Sequence, residues 1–585
     1  MVRWTLDGIL PGTPEEALAQ LERGLQTLSS WHEGLEDARQ RYGEYLSLLD
    51  GLEGDVQRVR AYAELLRAED TSSAHAAQLL EQVDMFESRY AREQRRGERW
   101  LQSLDDAGFS GLSAAPEYAA YLSRTRAAAP HTLPEEQEDA LGQEEALSIL
   151  PLVRDRDALE GSQHYAFKPV GGVPQVFDSE APLLAFSRSP DPAGREAACR
   201  AQSDAYRENI GHYHAVFREA AASWQRDLAA RGYTSPLEKR ADLDQIAEQA
   251  LHLSLDACLA HREVFQRYFR LKARFLGMER LRSCDMDAPL GTARERSLDD
   301  ALQDILSMFG DISPAFGERA ARVVREGHLD ALPREGKYGT PFCAAVPGSI
   351  PYVSTLFQGA PEDVLTLAHE LGHAVHYLSG AHLPVLVQEA PIPLQETAAT
   401  FFGTAMASRL LEQAESKSAV RKLLDTALSS LYDFTLRSAA STHFECLAHE
   451  ALSAGIDADG IADLHLSALE DRLGDSVMLT PEQGHDWAVD SMYYVEDPFY
   501  RTAYPFGQLL SLVLWDEYRA RGKEFTPYLE RLFGAGGSVD ARELLLEASI
   551  DICAPATWER AFRVISGMVD QLEDAVAEPN PQPPI

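Results

Sequence analysis

Pro361-Glu362-Asp363-Val364-Leu365-Thr366-Leu367-Ala368-His369-Glu370-Leu371-Gly372-His373-Ala374-Val375-His376-Tyr377-Leu378-Ser379-Gly380 is framed as a single helix. Proline suits the first helical turn, the acids at 362 and 363 complement the positive end of the helix dipole, and Gly380 offers a stop. On a helix, residues four apart share a face, so the imidazoles of His369 and His373 can hold one zinc ion between them. Glu370 stands beside them. It is poorly aimed for a ligand, yet it can take a proton from a water at the metal, which is the base that H-E-x-x-H chemistry requires. His376, three residues past His373, is read as a packing residue.

Hydrolytic zinc usually has three protein ligands and one open position. Two glutamates follow, Glu389 at 16 residues beyond His373 and Glu396 at 23. Glu389 precedes Pro391 and Pro393, which force extended or turn backbone, whereas Glu396 falls just inside a new helical run from Pro393 to Leu411. A ligand is held better on a rigid helix than in a proline loop, so Glu396 is the expected third ligand and Glu389 a candidate cleft residue.

Away from this segment the chain reads as helix nearly throughout. Thr13-Pro14-Glu15-Glu16 combines a cap, a proline at the first helical position and a glutamate three residues after the cap. Leu18, Leu21, Leu25 and Leu28 then recur at helical spacing, and amphipathic patterns continue to about Leu101 as antiparallel helices. Helical segments return from Ser189 to about Ala230 and from Leu237 to Leu276. Strand-like runs are confined to Gly171–Phe177 and Ser349–Phe357, the second read as an edge strand able to pair with an extended peptide. The end of the chain, Glu578 to Ile585, is proline-rich and is expected to fray.

Composition narrows the function classes. With 585 residues, 45% hydrophobic residues and a formal net charge of −38, the chain is globular and acidic. So much negative charge repels phosphate backbones and anionic lipid, so neither nucleic acid nor a membrane surface is an expected partner. No run reaches roughly 18 uninterrupted apolar residues, and Met1 to Pro11 lacks a secretory pattern, so the expected compartment is cytoplasmic. The six cysteines, at 199, 258, 284, 343, 446 and 553, form no C-x-x-C pair and are expected to be free thiols. His443 and His449, six apart, share no helix face and are read as ordinary histidines.

Several motifs in sequence order resemble a known family, the zinc metallopeptidases of the thimet oligopeptidase group (family M3), and within it the oligoendopeptidase F branch. They are Gly336-Lys337-Tyr338-Gly339-Thr340-Pro341-Phe342-Cys343, Pro351-Tyr352-Val353, the histidine segment, Pro393-Leu394-Gln395-Glu396-Thr397-Ala398-Ala399-Thr400-Phe401, and Asp497-Pro498-Phe499-Tyr500-Arg501-Thr502-Ala503-Tyr504-Pro505-Phe506-Gly507-Gln508. The likeness is densest from 330 to 510. It implies a mainly α fold of two helical lobes enclosing a deep channel, a small β-sheet beside the zinc helix, one Zn2+ per chain, and short unfolded peptides as substrates. It also implies an N-terminal helical region at 1–185 forming part of the channel wall, a catalytic domain at 186–575 and a tail at 576–585. In this reading phenols of Tyr500 or Tyr504 steady the oxyanion.

Two departures stand out. The family places a glutamate seven residues after the third ligand, where this chain has Gly403, and a histidine shortly before the Pro-Phe-Tyr segment, where this chain has Met492, Tyr493 and Tyr494. Tyr493 or Tyr494 is the expected substitute donor, with His485 a more distant one. The resulting expectation is a zinc endopeptidase cutting internal bonds of oligopeptides. A helical zinc carboxypeptidase and a zinc-containing peptide-binding protein weakened in turnover are the alternatives.

Overall fold

The computed structural model describes residues 3–32, 41–112, 115–494 and 498–577, so Asp497 and the tail from 578 onward lie outside the described residues. The fold is mainly α. Local signals start the first helix, Pro14–His32, as the sequence predicts: the Glu16 carboxylate accepts the Thr13 N–H at 3.0 Å, and the Thr13 hydroxyl accepts the Glu16 N–H at 3.3 Å. This helix packs with Tyr42–Glu69 and Ala74–Gln102 through Leu21, Leu28, Leu46, Leu49, Val83 and Phe86, all buried. Each such side chain contributes roughly 1.5–3 kcal/mol by leaving water. Among the described residues no helix is long and apolar enough to cross a membrane.

Seven short strands are described: β1 Tyr165–Phe167, β2 Gln175–Phe177, β3 Leu281–Arg282, β4 Leu329–Asp330, β5 Phe342–Ala344, β6 Tyr352–Ser354 and β7 Val477–Met478. β1 and β2 form an antiparallel hairpin that uses the end of the expected 171–177 strand, and β3 pairs parallel with β7. The remaining sheet has the order β4-β6-β5, with β6 parallel to β4 and antiparallel to β5, Cys343 opposite Val353. It lies against the Pro361–Ser379 helix. The sequence expectation of an edge strand at 349–357 is corrected here: β6 is the central strand, buried along its length, and β5 holds the edge. Lys337 ties the sheet together. Its ammonium, buried, donates to the carbonyls of Asp330 at 2.8 Å, Thr355 at 2.7 Å and Leu332 at 3.1 Å.

The chain divides into two compact units, neither of them a continuous stretch. One comprises Met1–Thr132, Glu295–Arg409 and Leu514–Asp551, and the other Leu133–Arg294, Leu410–Val513 and Ile552–Ile585. The division expected at 185 falls inside the Ala181–Ser187 helix, within the second unit. Composition carries no mark of a chain that leaves a unit and returns to it, so a sequence read along its length offers only a linear boundary.

The second unit has an aromatic core around Tyr213, Phe217, Phe444, Trp487, Tyr493 and Tyr494. Its buried charges are paired: Arg195 with Asp285 at 2.8 Å, and Lys272 with Asp425 at 2.7 Å, where the Tyr268 hydroxyl also donates. Pairing is what makes such burial tolerable.

Candidate metal centre

The helix predicted from 361 to 380 spans Pro361–Ser379. Its start is held by Asp363, whose Oδ2 accepts the N–H groups of Gln358, Gly359 and Ala360 at 2.8, 2.9 and 3.0 Å. A second helix, Ile392–Glu412, begins at the proline pair, and Thr397 and Thr400 turn their hydroxyls onto the carbonyls of Pro393 and Glu396. The two helices meet at Gly372. A Cβ there would stand 2.9 Å from the Ala399 Cα and 3.1 Å from Phe402, so only hydrogen fits. Behind the contact, Phe402 packs against Phe309, Phe316 and Phe533 at 4.3, 5.5 and 5.8 Å between ring centres.

This contact brings Glu396 to the two histidines. The Nε2 atoms of His369 and His373 are 3.1 Å apart, and each lies 3.8 Å from an oxygen of Glu396. Three ligands at about 2.1 Å in a tetrahedral arrangement are separated by roughly 3.4 Å, so the donors span a zinc-sized space. Two further observations fit a cation. The Glu396 Oε2 is buried without a hydrogen-bond partner. Burial also pushes the His369 imidazole down to about 4 and His373 well below its ordinary value, leaving both neutral with lone pairs to offer. Glu370, on the same helix and 7% exposed, is pushed up to about 8 by burial and by the neighbouring Glu396.

Glu389 ends the short Val385–Gln388 helix in extended backbone, is exposed, and is not part of the His369–His373–Glu396 group. His376 is buried against Phe533, as a packing residue would be. At Gly403 a Cβ would meet nothing within 4 Å, so no close packing demands glycine there. Cys343, read from the sequence only as a free thiol at the end of the 336–343 motif, is placed by β5 beside Glu370, close enough for that carboxylate to help push the thiol up. A single cysteine carries no spacing signal that could have marked it.

The tyrosines belong to the second unit. Tyr500 lies in a short 3-10 turn, Tyr500–Thr502, and Tyr504 in the first turn of the Ala503–Arg521 helix; both are half-buried, with their rings edge-to-face at 5.8 Å. Phe434 stands edge-on to Tyr504 at 5.2 Å. Tyr493 and Tyr494 are a different case. Tyr493 is 2% exposed and packed on Phe217 and Phe444, and Tyr494 donates to the Ala488 carbonyl. These are core positions, which corrects the expectation that either phenol serves as a substrate donor. His485 is engaged with Asp459 at 3.2 Å, and His449 is fully buried against Phe217 and Phe499.

Comparison with known proteins adds a family-level match: the description of Peptidase family M3 covers residues 185–564. The chain is 22% identical over 352 residues to Oligopeptidase PepF of Bacillus subtilis, covering 58% of this chain and 52% of that protein, about half its length. It is 21% identical over 583 residues to Group B oligopeptidase PepB of Streptococcus agalactiae, covering 96% and 95%. The crystal structure of oligoendopeptidase-F from Enterococcus faecium matches with a TM-score of 0.73 at 18% identity, over 96% of this chain and 98% of that one, a likeness of fold.

Proposed function

The chain belongs to peptidase family M3, and from that membership we propose that it is a zinc-dependent endopeptidase cutting internal bonds of short, unfolded peptides. One observation carries the reading: two neutral histidines and a buried, unpartnered glutamate oxygen converge beside a second buried carboxyl. His369, His373 and Glu396 would hold the zinc, which when bound supplies Lewis acidity to a water and to the scissile carbonyl.

The rest is the work of the chain's own residues. Glu370 takes the proton of the attacking water and later returns it to the leaving amine, a role ordinarily worth 10²–10⁴-fold in rate. Tyr500 and Tyr504 donate hydrogen bonds to the carbonyl oxygen as it gains charge. Their half-buried setting and their place in the segment that resembles the family's tyrosine motif support this. β5, the sheet edge beside Glu370, receives the extended peptide by main-chain pairing.

A quenched peptide assay with product masses tests the reading. Internal cuts that vanish with a chelator and return with zinc are expected. Binding without cleavage would make the chain a peptide-binding protein, and stepwise release of C-terminal residues would make it a carboxypeptidase.

A further inference from the structure

Phe499 is one of three non-glycine residues with positive φ among those described, at φ 65° and ψ 14°. For a bulky aromatic this is an uncommon conformation, and it persists only where the surroundings hold it. Phe499 is fully buried, its ring packed between Trp224 at 5.9 Å and His449 at 4.9 Å. Its N–H donates to Glu445 Oε1 at 2.9 Å, from the Ser438–Ser453 helix. Its carbonyl accepts from both the N–H and the hydroxyl of Thr502, at 3.1 and 2.8 Å. Arg501 is paired with Asp490. The Phe499 N–H and carbonyl, the Thr502 hydroxyl and the Arg501–Asp490 pair thus hold the 499–502 turn inward, while Tyr500 and Tyr504 stay half-buried.

We propose that Glu445 is a positioning residue for Tyr500 and Tyr504, acting through the left-handed backbone of Phe499. Glu445 is 1% exposed and far too deep to meet substrate. Without its oxygen the buried Phe499 N–H loses its partner, and relief of the left-handed turn would swing the start of the tyrosine segment. This inference rests on the oxyanion role proposed above for the two phenols. Burial pushes the Glu445 carboxyl up to about 8, and glutamine, which keeps the size and a carbonyl oxygen to accept the Phe499 N–H, is its near isostere.

The test measures kcat and KM on a quenched peptide, with zinc content, for Glu445→Ala, Glu445→Asp and Glu445→Gln, alone and in a Tyr500→Phe/Tyr504→Phe background. Expected is a roughly 10- to 100-fold fall in kcat for Ala, the scale of an ångström-level misplacement, with KM within about twofold and zinc retained. Gln should keep most of kcat, because its carbonyl still accepts the N–H. In the double-Phe background the further loss from Ala should shrink below about threefold. If Glu445→Ala does not fold, Glu445→Asp, which withdraws the oxygen by one methylene, is read instead. Wild-type kcat in Ala or Asp while the double-Phe variant is impaired, or full additivity, overturns the positioning role alone. Wild-type kcat in the double-Phe variant overturns the oxyanion reading, and this inference with it.

Discussion

Glu370 and Glu396 are both buried carboxyls on neighbouring helices, but their expected duties separate cleanly by substitution. Glu370→Gln keeps size and loses the base, so zinc content should stay at one per chain while kcat falls below about a hundredth of wild type. His369→Ala, His373→Ala or Glu396→Ala should each lose zinc, because two protein ligands rarely hold it; Glu389→Ala should keep it and alter peptide affinity. Elemental analysis decides all four, and full occupancy in Glu396→Ala would move the third ligand elsewhere. His449 supports a different prediction. Burial pushes its imidazole down to about 3, and neither ring nitrogen has a hydrogen-bond partner. Below pH 6.5 the unfolded chain takes up a proton that the folded ring refuses, so stability is lost as pH falls. At pH 5 that loss is about 2 kcal/mol. His449→Leu should therefore gain stability relative to wild type on going from pH 7 to pH 5, by about that amount, in urea melts at the two pH values.

The histidine helix and the glutamate helix were legible in the sequence because their markers are local: a proline, acids in the first turn, a glycine stop, and a proline pair before Glu396. What brings them together was not legible. Gly372 reads as one more x in H-E-x-x-H, yet its missing Cβ sets the distance between the two helices. Gly372→Ala should therefore lower Tm and weaken zinc binding by about tenfold, as Glu396 is pushed away from the histidines. A variant with wild-type zinc affinity would show that the Ala399 backbone gives way at no cost to the site. Strand order was hidden for the same reason. The place of β6 between β4 and β5 depends on its reaching back past its neighbour β5 to pair Val353 with Leu329, a choice that the apolar pattern of 349–357 does not mark. The burial of Tyr493 likewise depends on Phe217, more than 270 residues earlier.

At the scale of the whole molecule, the unit carrying the metal group is closed by the N-terminal segment. The Thr71 N–H donates to Gly336 at 2.8 Å, the Tyr338 N–H to Ala68 at 3.0 Å, the Leu386 N–H to Asp50 at 2.9 Å, and the Tyr352 hydroxyl to Thr5 at 3.1 Å. A fragment of residues 186–575, the catalytic domain suggested by sequence alone, should therefore show no cooperative melt and bind no zinc. A fragment that melts cooperatively with one zinc per chain would restore the linear boundary. The interleaving has a further consequence on the ribosome. Residues 1–132 need 514–551 to complete their unit, so roughly 400 residues must be added in between. At about 5–20 residues per second this is a wait of about 20–80 s, in the earlier part of which Asp50 and Ala68 still lack Leu386 and Tyr338, the backbone partners they hold in the finished fold. Each nascent chain would spend that time as a half-built unit, a natural client for a ribosome-associated chaperone.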